Sequence, residues 1–185
     1  MKRLLVSAAL ASMAAAPAYA ALPVGAKAPP FAAQASMGGK VFKFDLAHAL
    51  KKGPVVLYFY PAAFTPGCTI EAHEFADATP DFQKLHATVI GVSKDGIDKL
   101  NKFSVSECRS KFPVAADPDG TVIKAYDVVW SPPGAPASVQ LANRTSYVIT
   151  PDGRVAYEYT SLDPSKHVEN TMAAVKAWDD GKRKP

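Results

Sequence analysis

Cysteine is scarce: Cys68 and Cys108 stand forty positions apart in a chain of 185 residues. With only these two there is no Cys-x-x-Cys pair for dithiol exchange and no dense disulfide framework. Histidine is almost as thin. His48, His73, His86 and His167 are scattered, with no metal-ligand spacing among them or the cysteines. A surplus of charge is missing too, since 21 Lys and Arg face 17 Asp and Glu for a formal net charge of +4. Without a basic stripe carrying interleaved aromatics, neither nucleic acid nor a membrane surface is an expected partner.

The chain opens "MKRLLVSAALASMAAAPAYA", with Lys2 and Arg3, an apolar stretch from Leu4 and a small-x-small ending at Ala18-Tyr19-Ala20. This is the pattern of a cleaved secretory signal, so residues 1–20 are set aside and residues 21–185 are expected to form one domain. The apolar stretch falls short of the ~20 residues of a membrane span and contains Ser7, Ser12 and Pro17. No cysteine lies near the cleavage site to take a lipid. The expected destination is the bacterial periplasm. In an exported chain two cysteines suggest a static disulfide, although a domain of this size can bury an adequate core without one.

"PVVLYFYP" (54–61) is a continuous β-branched and aromatic run bounded by prolines, which suits a strand buried on both faces. The segment from Thr69 to about His86 reads as two helical pieces or one kinked helix, because Pro80 interrupts it. "ATVIGVS" (87–93) is a second buried strand, and residues 96–111 carry Ile97, Leu100, Phe103 and Cys108 near helical spacing. "KVFKFDL" after Met37-Gly38-Gly39-Lys40 alternates like a half-exposed strand, and Pro151-Asp152-Gly153 marks a hairpin turn. Residues 163–178 read as a last helix, with Asp163 or Ser165 as N-cap. This order predicts an α/β fold: a mixed central sheet flanked by helices, with an N-terminal hairpin extension.

Folds of this kind place reactive groups just beyond the carboxyl ends of strands, and Cys68 follows such a strand in "PAAFTPGCTIE". Thr65 is an N-cap candidate, Pro66 suits the first helical position and Gly67 leaves the backbone unshielded. Cys68 then sits in a first helical turn, among unpaired N–H groups that favour an anion. A free cysteine is only a few per cent thiolate at neutral pH, and a helix end contributes at most ~2 kcal/mol. Full ionisation therefore needs another cation or donor. Arg144, at the start of a predicted strand, is either that cation or an ordinary strand-edge arginine.

"PAAFTPGC" fits the Pro-x-x-x-Thr-x-x-Cys signature of the peroxiredoxins, and "YFYP....TPGCT.E" resembles the peroxiredoxin Q, or bacterioferritin comigratory protein, branch of these AhpC/TSA-like proteins. "GAKAPPF", "GVSKD", "FPVAADPDG" and "RTSYVITPDGRV" extend the resemblance along nearly all of residues 21–185. The resemblance implies a thioredoxin-like fold and a peroxidase for hydrogen peroxide or organic hydroperoxides. It implies Cys68 as peroxidatic nucleophile, Thr65 as hydroxyl donor, Arg144 as stabiliser of thiolate and peroxide, and Pro61 as pocket shield. Thiolate attack on the O–O bond gives a sulfenic acid that a second thiol can trap, so no metal or organic cofactor is expected. A thioredoxin-like or other thiol would serve as reductant, and the protein would be a monomer or weak homodimer. Glu71, one turn after Cys68, is either a partner of Arg144 in the pocket or a solvated carboxylate.

The sequence departs from this branch at His73, where many members carry a resolving cysteine. Cys108 lies in the region where others place it, with Ser104 nearer the usual position. Three roles stay open for Cys108: resolving thiol, intermolecular or inert thiol, and half of a static bridge. Two other functions compete with the peroxidase, a thioredoxin-like disulfide exchange protein and a non-enzymatic exported domain with a fixed Cys68–Cys108 disulfide. A Cys68–Cys108 bridge would require the first turn around Cys68 to unfold locally.

Overall fold

Every residue of Val55–Phe59 is buried, and this strand lies within a seven-stranded sheet with an apolar cluster on each side of it. The computed structural model describes residues 21–183. The signal sequence expected at residues 1–20 lies outside them. In chain order the elements are β1 (Ala32–Met37), β2 (Lys40–Asp45), α1 (Leu46–Leu50), β3 (Val55–Phe59), α2 (Pro66–Lys84), β4 (Thr88–Ser93), α3 (Ile97–Ser106) and β5 (Val114–Ala116). They continue with α4 (Thr121–Ala125), β6 (Val129–Trp130), β7 (Leu141–Ala142), β8 (Thr145–Ile149), β9 (Val155–Thr160) and α5 (His167–Arg183).

The strand order is β2-β1-β5-β4-β3-β8-β9. β3, β4 and β5 run parallel, while β8 pairs antiparallel with β3 and the β1–β2 hairpin pairs antiparallel with β5. The mixed sheet and N-terminal hairpin follow the expectation. Alternation along β3 sorts the core. Val55, Leu57 and Phe59 pack with residues of α1 and α4, whereas Val56, Tyr58 and Tyr60 pack with residues of α2, α3 and α5. The Ser131–Gln140 loop, which contains "SPPGAP", links the strands of the separate β6–β7 ribbon. Among the described residues no helix is long and apolar enough to cross a membrane.

Of the two alternatives for the segment around Pro80, the structure shows one helix: α2 runs through the exposed proline, and the neighbouring Thr79 hydroxyl donates to the Phe75 carbonyl at 2.7 Å. One local expectation changes. The helix predicted to reach Cys108 ends at Ser106. Cys108 instead lies in a turn, where its N–H donates to Phe103 O at 3.0 Å and Arg109 and Ser110 take left-handed φ values of 48° and 56°.

β3 and β4 are held together at one point by a missing side chain. Gly91 pairs with Tyr58, and a Cβ there would lie 2.7 Å from Tyr58 Cζ. Tyr58 has little freedom to retreat, being stacked on Phe75 at 4.4 Å and on Tyr60 at 5.4 Å. Gly91→Ala is expected to destabilise the fold by about 1–3 kcal/mol through overpacking, read as a lower midpoint in urea unfolding with an unchanged slope.

Candidate active site

The chain leaves β3 at Tyr60 and turns through Pro61–Thr65 into α2. Asp95 fixes this turn: its carboxylate accepts from Ala63 N–H at 2.7 Å and from the Ser93 hydroxyl at 2.9 Å. Phe64 adopts a left-handed φ of 67°, a costly conformation for a bulky residue. Its ring packs edge-on against Phe103, which in turn stacks on Tyr60. Pro61 is half-buried at the start of the turn.

Pro66 takes the first helical position as expected, but Thr65 does not cap the helix with its side chain. Its hydroxyl donates backward to Ala62 O at 2.9 Å. The amides of Gly67 and Cys68 are thus left uncapped by Thr65 at the positive end of α2. Cys68 is 1% exposed.

Arg144 is brought to this sulfur from just before β8. It is 4% exposed, which excludes the surface alternative, and its Nη2 lies 3.5 Å from Cys68 Sγ. Nη1 is paired with Glu71 Oε2, and Nε donates to the Leu162 carbonyl at 3.0 Å. The guanidinium, itself paired with Glu71, and the amide end of α2 thus face the sulfur together. Gly67 makes room for the guanidinium, because a Cβ at that position would lie 3.0 Å from Arg144 Nη2.

Glu71 is fully buried and paired with Arg144, so it is not a solvated carboxylate. Burial raises its carboxyl above the ordinary range, and the Arg144 guanidinium opposes this only in part. Burial lowers the Arg144 value, but Glu71 and Cys68 outweigh it and hold the guanidinium above its ordinary range. The second Glu71 oxygen, Oε1, is buried without a hydrogen-bond partner and sits 3.6 Å from His167 Nδ1.

Sequence reasoning missed His167, which is fully buried at the start of α5. Its Nε2 faces the Ser161 carbonyl at 2.9 Å and its Nδ1 faces the Ser146 hydroxyl at 2.8 Å. Because a carbonyl can only accept, Nε2 carries the proton and Nδ1 accepts from Ser146 in the neutral ring. The sequence signal was weak, since a histidine far from any cysteine looks like a surface residue. Among the described residues no cluster of His, Cys, Asp and Glu could hold a metal ion.

Cys68 and Cys108 are both free thiols, and both are buried. Burial pushes the Cys108 thiol upward, and Glu107 adds to the effect. Polar contacts tie both neighbours of Cys108 to α2: Glu107 meets His73 Nε2 at 2.8 Å, and Arg109 forms an ion pair with Asp77 at 2.6 Å. Ser104, at the position nearer the usual resolving cysteine, is bonded instead to Ser36 and Gly39 N–H of the N-terminal hairpin.

Burial lowers the His167 value to about 4, with Arg144 acting in the same direction and the Ser161 bond opposing. An unfolded histidine takes up its proton near 6.5, so the unfolded chain binds more protons between these values. The contribution is fully present above about pH 6.5 and is lost as pH falls through 4. Denaturant titrations across this window should show a loss approaching about 3 kcal/mol from this group, and His167→Gln should flatten that limb.

The model of the AhpC/TSA family matches residues 24–158. A putative peroxiredoxin of Mycobacterium tuberculosis is 35% identical over 137 residues, covering 74% of this chain and 86% of that protein. The crystal structure of the peroxidoxin BcpB from the same organism superposes with a TM-score of 0.74 at 32% identity, covering 83% of this chain and 96% of that one. The bacterioferritin comigratory protein of Xanthomonas campestris, whose structures are described in connection with alkyl peroxide reduction, gives 0.70 at 29% identity, with 79% and 91% covered. With the thioredoxin-like fold and the Thr65–Cys68 helix start in place, the chain belongs to the AhpC/TSA family, as a peroxiredoxin of the Q, or bacterioferritin comigratory protein, branch.

Proposed function

We propose that this peroxiredoxin is an exported thiol peroxidase that reduces hydrogen peroxide or organic hydroperoxides at Cys68, with Cys108 as the resolving thiol. The observation that carries the reading is the Arg144 guanidinium, fixed by Glu71 and lying 3.5 Å from a sulfur in the first turn of α2. The Cys68 thiolate attacks one peroxide oxygen, the O–O bond breaks and the other oxygen leaves as alkoxide or hydroxide, to be protonated by solvent. Donors fixed on sulfur and peroxide favour the charge as it moves between them. Thr65 and Pro61, on the turn leading into α2, border the approach to the sulfur in this reading, and Gly67 keeps the space occupied by Arg144.

The sulfenic acid then condenses with the Cys108 thiol, forming the disulfide and releasing water. Both thiols are buried, so the Cys108 turn and the first turn of α2 must open locally before this step. A thioredoxin-like or other thiol supplies the two electrons that restore both cysteines. Export to a bacterial periplasm rests on the leader pattern of residues 1–20. The enzyme is taken to act as a monomer or weak homodimer. The alkyl peroxide reduction associated with the Xanthomonas relative supports the substrate class.

One equivalent of hydrogen peroxide added to reduced protein should consume both thiols rapidly and yield a Cys68–Cys108 peptide on mapping. Cys68→Ser should abolish the reaction, and Cys108→Ser should stop at a sulfenic acid that dimedone traps. A reduced protein that ignores peroxide defeats the enzyme reading, and an oxidised wild type with Cys108 still free removes it as resolver. Separately, Arg144→Met should lower kcat/KM for peroxide on the order of a hundredfold, the usual effect of removing one fixed transition-state donor.

A further inference from the structure

We infer that His167 is a positioning residue for the peroxidatic site, because two anchors that hold Arg144 against Cys68 both lean on its imidazole. The first anchor is Glu71. One of its oxygens is paired with Arg144 Nη1, and the other has no hydrogen-bond partner and lies 3.6 Å from His167 Nδ1. That oxygen is buried, so the ring limits where the carboxylate can turn. The second anchor is the turn after β9. Leu162 O accepts from Arg144 Nε at 3.0 Å, and the adjacent Ser161 returns its N–H to Arg144 O at 3.1 Å. The Ser161 carbonyl is in turn held by His167 Nε2 at 2.9 Å.

The imidazole itself has little freedom. Ser146, on β8 two residues after Arg144, engages Nδ1 at 2.8 Å, and the Tyr159 ring packs edge-on with its centroid 4.8 Å from that of the imidazole. The His167 carbonyl takes the Thr171 hydroxyl at 2.7 Å, which fixes the start of α5. A continuous hydrogen-bonded path therefore runs from Cys68 through Arg144 and the Ser161–Leu162 turn to His167, and on the other side the imidazole abuts the unbonded oxygen of Glu71 without bonding it. Buried networks of this kind transmit the loss of one member to the others. His167 touches neither sulfur nor substrate; it acts through the guanidinium.

This inference rests on Cys68 as the reacting thiol, and its test separates the two claims. In a Cys108→Ser background only Cys68 can react. The thiolate absorbance of the reduced protein near 240 nm at pH 7 reads the influence of Arg144 on the sulfur whether or not peroxide reacts. The rate of thiol consumption by hydrogen peroxide reads the reaction itself. His167→Leu is expected to diminish the absorbance and slow the peroxide reaction at least tenfold. His167→Gln, which keeps a donor able to reach Ser161 O, should recover part of both. Val175→Ala, a cavity in the same helix, should lower the melting temperature and move neither. A folded His167→Leu protein with unchanged absorbance and rate would overturn the inference. If circular dichroism shows that His167→Leu does not fold, His167→Gln is read by the same criteria, and an unchanged absorbance and rate there also overturns it. A parent protein whose thiolate ignores peroxide would defeat the peroxidase reading alone, since the absorbance still decides the part played by His167.

Discussion

The contact between a buried guanidinium and a buried sulfur organises this molecule. Arg144 and Cys68 are 76 residues apart in sequence, and each is placed by a different part of the fold. The parallel strand β3 delivers the chain to the start of α2, and the antiparallel neighbour β8 delivers Arg144 to the same end of the sheet. An isolated arginine in this position would be expensive to bury. Glu71 offsets that cost with the opposite charge, and Leu162 accepts from the remaining guanidinium nitrogen. Glu71 and the Leu162 carbonyl thus serve one requirement, a fixed positive charge beside one sulfur.

The two cysteines sit in the same apolar layer with different surroundings. Cys68 faces a helix start and a guanidinium. Cys108 lies in a turn tied to α2 on both sides, with its thiol driven toward the neutral form by burial. A neutral, enclosed thiol is a poor nucleophile, so a resolving role for Cys108 belongs to an opened conformation. The left-handed pair Arg109 and Ser110 just after it marks where the backbone already departs from comfortable geometry.

Much of this architecture was legible because it follows from period and composition. The β-branched and aromatic run at 55–59, bounded by prolines, suits a strand covered on both faces, and Thr65-Pro66-Gly67 before Cys68 carries the chemistry of a helix start. Arg144 and Glu71 were readable as possible partners, but the choice between that pairing and a solvated carboxylate depends on the β3–β8 register. Thr65 illustrates a limit of capping rules, for its hydroxyl found a carbonyl three residues back instead of an amide ahead. Cys108 shows another: helical spacing continued in the sequence after the helix had ended. His167 was out of reach, because a lone histidine reveals its role only when strands and turns distant in sequence close around it.

Gly67 carries a consequence of a different kind. Alanine would suit a helix better than glycine by up to about 1 kcal/mol, yet the extra carbon would sit 3.0 Å from Arg144 Nη2. At this position the demands of folding and of chemistry are opposed, and an optimisation of helix stability alone would choose the wrong residue. The pocket is specified as much by an atom left out as by those that line it.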